Sequence, residues 1–229
     1  MYTVIIPAAG TGSRMGLGHN KLFYKVSGQT VIEHTVNKFT TDLKCKQIIL
    51  TVSNVDLEKM NEIFTSYPTV KTVIGGESRQ ESIYNGLAQV TGEIVLIHDG
   101  ARPFISANII DACYNVVESG FGAIAAVLPK DTIKQRHPSK EDVVGLTLSR
   151  NELVAVQTPQ AFPTSVLKKA NELAKIAGTL SAATDDASLV EKYTDIDIKI
   201  VNGSYKNIKF TTPEDIEYFE FLLRKKECF

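Results

Sequence analysis

The stretch Thr3-Val4-Ile5-Ile6-Pro7-Ala8-Ala9-Gly10-Thr11-Gly12-Ser13-Arg14-Met15-Gly16 decides the fold. Its first five residues form a short β-branched run, which reads as a strand buried on both faces of a parallel sheet. That run feeds without a break into small residues. Small side chains let backbone amides approach a ligand closely, and glycines reach the φ values such a loop needs. A glycine-rich loop at the carboxyl end of a first parallel strand is where α/β sheets hold nucleotides. A purely structural tight turn is the competing reading. Two familiar motifs are absent. Gly16 is not followed by the Lys-Ser/Thr pair of a P-loop, and Met15 stands where the dinucleotide fingerprint requires its third glycine. The second departure weakens a nicotinamide dehydrogenase. Arg14 inside the loop and Lys21 just after it place two cations beside a nest of N–H groups, which suits a triphosphate.

Working outward, apolar runs alternate with amphipathic stretches. Strands are expected at Thr3 to Pro7, Gln47 to Val52, Val70 to Ile74, Glu93 to Ile97, Ala123 to Leu128, Leu153 to Thr158 and Ile196 to Val201. Helical spacing is expected over Thr30 to Phe39, Val55 to Phe64, Arg79 to Val90, Ala107 to Val117 and Thr164 to Ala177. Asp185 is placed to cap a helix from Asp186 to Tyr193. Thr212-Pro213-Glu214-Asp215 opens a last helix, with Thr as N-cap, Pro at N1 and acids in the first turn. This rhythm predicts an α/β fold: a Rossmann-like three-layer sandwich around a mostly parallel sheet. It breaks at the polar stretch from Pro129 to Arg150. A β-arm over about residues 130–151 is preferred there over a disordered loop. The whole chain, 1–229, reads as one domain carrying that arm.

The bulk composition excludes several classes. With 229 residues, 43% apolar and 22% charged, the chain can bury a sizeable core. A formal net charge of −1 offers no field for nucleic acid or anionic lipid, so a phosphorylated ligand must be held by local cations and dipoles. No stretch has the length of a membrane span, and the start lacks a signal peptide's basic and apolar regions. Cys45, Cys113 and Cys228 show neither metal nor disulfide spacing, which fits reduced thiols in the cytoplasm.

Two further loops carry chemistry. Gly75-Gly76-Glu77-Ser78-Arg79-Gln80-Glu81-Ser82 joins a strand end to a helix start, where backbone groups and Ser82 could read a base edge. Ile97-His98-Asp99-Gly100-Ala101-Arg102-Pro103 ends a strand on an acid. A lone carboxylate there can hold Mg²⁺ against phosphate oxygens; a turn or cap role is the alternative. Arg102 could brace that loop or touch the ligand. His98 reads as packed or hydrogen-bonded support, since no second histidine lies nearby. Thr158 follows an apolar strand, and Lys209 follows the last one, as a candidate phosphate cation or a solvated surface lysine.

These motifs together resemble the bacterial 2-C-methyl-D-erythritol 4-phosphate cytidylyltransferases of the isoprenoid pathway. The resemblance spans essentially the whole chain. It rests on PAAGTGSRMG (7–16), NKLF (20–23), GGESRQES (75–82), HDGARPF (98–104), KDTIK (130–134) with LSRN (148–151), VQTPQAF (156–162), TDDASLVE (184–191) and NIKFTTPED (207–215). It implies a CTP site lined by Ala8, Ala9, Gly10 and Gly12, with Arg14 and Lys21 stabilising charge at the α-phosphorus. It implies that Gly76, Glu77 and Ser82 read cytosine, that Asp99 and Gly100 contact ribose or metal with Arg102 beside them, and that Thr158 lines the site. Thr132 and Arg150 would reach the methylerythritol phosphate from the arm of a neighbouring subunit in a homodimer. Lys209 would contact the reacting phosphates, and Mg²⁺ would be the cofactor. Two positions depart from the family's usual pattern: Leu22 stands where many relatives have Gln, and Gly100 where they have Ala.

The implied reaction is in-line attack of a phosphate oxygen on the α-phosphorus of CTP. The nucleophile is already anionic, so the lack of a Ser-His-Asp or Cys-His constellation is expected. The nearest alternative is a ribitol-5-phosphate cytidylyltransferase, whose loops tend to read AGGxGxRMG and His-Asp-Ser-Val-Arg. A noncatalytic nucleotide-binding regulator on the same fold is the alternative from another class.

Overall fold

The computed structural model describes residues 1–10, 19–212 and 214–224. The first strand, β1 (Tyr2–Pro7), leads through a 3-10 turn at Lys21–Phe23 to a two-residue ribbon, β2 (Lys25–Val26) with β3 (Gln29–Thr30). Then come α1 (Val31–Thr40), β4 (Cys45–Val52), α2 (Leu57–Phe64), β5 (Val70–Ile74), α3 (Arg79–Leu87), β6 (Ile94–Ile97), α4 (Ala107–Glu118) and β7 (Gly122–Val127). The arm follows as β8 (Lys134–Arg136) and β9 (Val144–Thr147), and the chain closes with β10 (Ala155–Pro163), α5 (Thr164–Ile176), α6 (Asp186–Tyr193), β11 (Ile198–Asn202) and α7 (Glu214–Arg224).

Seven strands form the central sheet in the order β11-β7-β10-β6-β1-β4-β5. Pairings of β1 with β4 and β6, β4 with β5, and β7 with β11 are parallel. Strand β10 runs against both its neighbours, β6 and β7. Helices cover both faces, because successive side chains of a strand point to opposite sides. Val4 and Ile6 join the cluster packed by α1, α2, α4 and α7, while Ile5 joins the one packed by α3, α5 and α6. The same split separates Ile48 and Leu50 from Ile49, and Leu96 from Val95 and Ile97.

Several expectations need correcting. The burial read for the first strand does not extend to the outermost strands β5 and β11, whose residues are mostly part-exposed or exposed. Each carries a lysine, Lys71 or Lys199, a charge of the kind that protects a free sheet edge. The strand expected to stop at Thr158 continues to Pro163, and it is the antiparallel one. Helices α2 and α3 start or stop two or three residues inside their expected limits. The β2–β3 ribbon had no periodic signal, being only two residues deep. Of the helix-opening signals, Asp185 does cap α6, accepting from the Ser188 amide at 3.0 Å. Pro213 lies outside the described residues.

The polar stretch forms the expected β-arm. Strands β8 and β9 pair only with each other, antiparallel, and all their residues are exposed. Three apolar side chains, Val143, Val144 and Leu146, stand exposed on it. Among the described residues, no helix is long and apolar enough to cross a membrane.

Phe162 is wholly buried where β10 meets the second helical layer. Its replacement by alanine is expected to cost about 3–5 kcal/mol of unfolding free energy. A urea titration checks this; a loss below about 1 kcal/mol would mean that this layer is not packed as described.

Candidate active site

Because six strands are parallel, the carboxyl ends of β1, β5, β6 and β11 all open on one edge of the sheet. The chain runs from β1 outward to β4 and β5 and then returns to β6 on β1's other side. That reversal leaves a crevice beyond the carboxyl ends, which is where open α/β sheets bind ligands. A cleft of about 390 Å³ lies there. Ala8, Ala9 and Gly10 line it after β1, Lys21 after the glycine loop, Gly76, Glu77 and Ser82 after β5, Asp99 and Gly100 after β6, and Lys209 after β11. Loops distant in sequence are thus brought together. Gly12 and Arg14 lie outside the described residues. Thr132 and Arg150 are exposed on the arm, away from the cleft, with the Arg150 guanidinium donating to the Lys130 carbonyl at 2.8 Å.

Asp99 is the centre of charge. It is 7% exposed, and three cations reach its carboxylate. Lys209 Nζ lies 2.9 Å from Oδ2, Arg102 Nε 3.4 Å from Oδ2, and Arg79 Nε 3.4 Å from Oδ1. Burial opposes the charge, but Arg79, then Lys209 and Arg102, outweigh it and hold the carboxyl well below the usual carboxylate range. The loop bearing Asp99 is fixed by a directed chain of hydrogen bonds. The Asp99 amide donates to Thr158 Oγ1 at 3.0 Å, and Thr158 Oγ1 meets His98 Nδ1 at 3.1 Å. His98 Nε2 meets the Arg102 carbonyl at 3.0 Å. The carbonyl can only accept, so Nε2 carries the proton and Nδ1 accepts from Thr158. Burial, acting first, pushes the His98 imidazole down to about 4, which keeps it neutral near pH 7. His98 and Thr158 therefore support the Asp99 loop. Thr158 can reach it because β10 is antiparallel: Gln160 pairs with Ile97, so the preceding turn of β10 lies beyond the end of β6. Thr158 lies inside β10 rather than at the end of its strand as expected.

Arg102 also supports the loop, donating to the Asn207 carbonyl at 2.7 Å. Asn207 is wholly buried, and its amide nitrogen donates to the Thr158 carbonyl at 2.9 Å. The two are thus braced on each other and on β10. Lys21 donates to the Phe210 carbonyl, which puts its ammonium beside the segment carrying Lys209. The loop after β5 is closed on itself: the Gly76 amide donates to Ser82 Oγ, and the Glu77 and Ser78 amides to Glu81 Oε2. A side chain at Gly76 would put its Cβ 2.3 Å from that of Glu81, so only glycine permits this closure. Ser82 Oγ also donates to the Ser78 carbonyl at 2.9 Å, so Ser82 holds the loop through both an amide and a carbonyl.

The two departures from the family pattern are neighbours in space. A Cβ on Gly100 would lie 3.2 Å from Leu22 Cδ1, and Leu22 is buried. Ile32 Cδ1 at 3.1 Å and Ile6 Cγ2 at 3.2 Å would crowd that Cβ as closely, so position 100 is enclosed by three apolar side chains.

Arg79 and Asp186 carry the site without having been singled out from the sequence. Arg79, first residue of α3, lines the cleft and bridges Asp99 to Asp186, with Nη2 2.9 Å from Asp186 Oδ2. Asp186 is fully buried; burial raises its pKa against the pull of Arg79. The doubled acid at 185–186 was the available signal, since one carboxylate caps α6 and a second one needs a cation. Nothing local names Arg79, 107 positions away.

As a donor set for Mg²⁺, Asp99 offers hard carboxylate oxygens at the cleft wall, and two of its three cations stand at 3.4 Å. That fits an ion bound jointly with phosphates, since a polyanion draws those cations to itself. Among the described residues no group of three His, Cys, Asp or Glu could hold a metal alone.

The crevice at a strand-order reversal, with lysines and arginines around one buried acid, defines a nucleotide-binding α/β protein built for phosphate chemistry. Comparison with known proteins narrows the class. The sequence model of the 2-C-methyl-D-erythritol 4-phosphate cytidylyltransferase family matches residues 2–225, and the chain belongs to that family. It is 43% identical over 227 residues to the 2-C-methyl-D-erythritol 4-phosphate cytidylyltransferase of Bacillus velezensis, covering 97% of this chain and 96% of that one. The Bacillus pumilus enzyme of the same name is 45% identical over 219 residues, covering 94% and 93%. The crystal structure of the 4-diphosphocytidyl-2C-methyl-D-erythritol synthase of Anaerococcus prevotii superposes with a TM-score of 0.85 at 31% identity, covering 98% of this chain and 96% of that chain.

Arg79→Ala leaves Asp186 buried without its counter-charge. The expected loss is about 3 kcal/mol or more of unfolding free energy, read in a urea titration. A loss under about 1 kcal/mol would show that Arg79 is not the anchor of Asp186.

Proposed function

We propose that this protein transfers a cytidylyl group from CTP to 2-C-methyl-D-erythritol 4-phosphate, releasing pyrophosphate. The observation that carries this reading is the meeting of Lys21, Lys209 and Asp99 in one cleft, in a chain whose family match runs almost end to end. Ala8, Ala9 and Gly10 take the nucleotide against the end of β1. The carbonyls of the Gly76–Glu77 loop suit the exocyclic amine of cytosine, which is a donor where uracil has an acceptor. Ser82 shapes that loop.

The substrate's phosphate oxygen attacks the α-phosphorus of CTP, a new P–O bond forms, and the bond to pyrophosphate breaks with its electron pair leaving on the pyrophosphate. The nucleophile is an anion, so no general base is needed, and no covalent enzyme intermediate arises. What the protein supplies is position and positive charge. Lys21, Lys209 and, from the glycine loop, Arg14 neutralise charge as it builds. Asp99 holds Lys209 and the two arginines in place until the triphosphate arrives. When Mg²⁺ is bound, Asp99 and the phosphates hold it, and it supplies further charge neutralisation.

Thr132 and Arg150 take the methylerythritol phosphate from the arm of a second subunit. Support comes from their placement: both lie off the cleft of their own chain, on a ribbon that exposes Val143, Val144 and Leu146. The assembly is then a homodimer joined through the arms. Neither nucleic acid nor membrane enters this reading. A cytoplasmic location goes with it, since Cys45 and Cys113 are buried and unbridged.

The function is tested by pyrophosphate release with methylerythritol phosphate and ribitol 5-phosphate side by side; preference for ribitol phosphate would refute it. Lys21→Ala is expected to lower kcat/KM by about 100-fold or more, the scale of one lost electrostatic donor. A near-normal rate would remove Lys21 from the chemistry. Arg150→Ala is expected to raise KM for methylerythritol phosphate while KM for CTP stays nearly constant. Equal rises in both would argue against a second-substrate role for the arm.

A further inference from the structure

Asn20 lines the cleft, is 4% exposed, and has no task in the chemistry above. Its carboxamide is nonetheless fully engaged. Nδ2 donates to the Ala8 carbonyl at 2.9 Å and to Asp56 Oδ2 at 2.9 Å, while Oδ1 accepts from the Leu22 amide at 3.1 Å. A carbonyl and a carboxylate can only accept, and the Leu22 amide can only donate, so the group has one permitted orientation. Asp56 is held in turn by Ser53 Oγ at 2.8 Å. As the N-cap residue of α2, Asp56 would ordinarily accept from that helix's amides. It makes no such bond, and its carboxylate turns to Asn20 instead.

One side chain thus joins three segments. Ala8 is the first residue after β1 and lines the nucleotide cleft. Leu22 belongs to the turn Lys21–Phe23, a three-residue 3-10 helix too short to hold its own orientation. Asp56 opens α2, on the fixed part of the fold. We infer that Asn20, braced by Asp56, is the positioning residue that sets Lys21 relative to the nucleotide. The inference rests on the reading of Lys21 as the cation that stabilises the transition state. A lysine ammonium sits at the end of a flexible four-carbon stem, so its reach depends on where the backbone at 21 is held. Aspartate at 20 could still accept from Leu22, but it could not donate to Ala8 and would face Asp56 with a like charge.

The test is a four-corner comparison of wild type, Asn20→Ala, Lys21→Ala and the double variant, with kcat and KM for CTP measured at saturating methylerythritol phosphate. Asn20→Ala is expected to lower kcat about tenfold or more, the scale of a small misplacement of a reacting group, with KM for CTP changed less than about threefold. In the Lys21→Ala background the same substitution is expected to change kcat by less than about threefold, because residues acting as a unit are not additive. Losses that multiply, or a near-normal kcat for Asn20→Ala, would overturn the inference and leave the role of Lys21 standing. A near-normal rate for Lys21→Ala would overturn both, and is distinguished by that single variant. If Asn20→Ala does not fold, Asp56→Ala takes its place in the cycle, with its thermal midpoint measured. It is expected to lower kcat by about two- to fivefold, an effect that disappears once Lys21 is gone; a loss that persists there overturns the inference.

Discussion

The site is organised around one buried carboxylate. Asp99 ends a central strand, and its charge survives burial only because three cations from separate segments reach it. An ionised group in such a place is costly unless it is paired and hydrogen-bonded. The same requirement works in the other direction: Arg79, Arg102 and Lys209 are gathered at one point of the cleft by that anion. The cations are thereby collected at the cleft wall rather than left in solvent, which is preorganisation in its plain sense.

Layers of support lie behind that point, and most of them act through hydrogen-bond direction rather than charge. Thr158 and His98 fix the backbone at Asp99 with a single permitted proton arrangement. Asp186, at the start of α6, anchors Arg79 from within the same helical layer as α3, and its own amide donates to Gln160 Oε1 on β10 at 3.1 Å. Strand β10 therefore touches the site twice, once through Thr158 and once through Gln160. The antiparallel course that sets it apart in the sheet is what permits both contacts. On the other wall, Gly100 is enclosed by Leu22, Ile32 and Ile6, which leave little room for a larger residue.

Much of this was legible before any coordinates. The β-branched run leading into Ala8 and Gly10 pointed to residues that line the cleft, because strand period and small residues have local causes. The acid at the end of the Ile94–Ile97 run and the glycine pair at 75–76 were found the same way. The order of motifs identified the family. Less legible were the edges. Strands β5 and β11 each carry a lysine, Lys71 or Lys199, but a strand's own sequence does not say whether a neighbour lies on each side. The direction of β10 had no signal at all, because an apolar run reads alike in either orientation.

By itself, then, the sequence determined the layered α/β architecture, the loops that carry chemistry and the family they belong to, all properties written in short windows of side-chain period and motif order. The tertiary structure alone decided which charges meet. That Arg79 bridges Asp99 to Asp186, that Asn20 ties Ala8 to the turn of Lys21, and that neither Thr132 nor Arg150 lines the cleft of its own chain are facts about placement in space. Electrostatic and hydrogen-bond energies depend on separation in space and on burial, and neither is a function of separation along the chain.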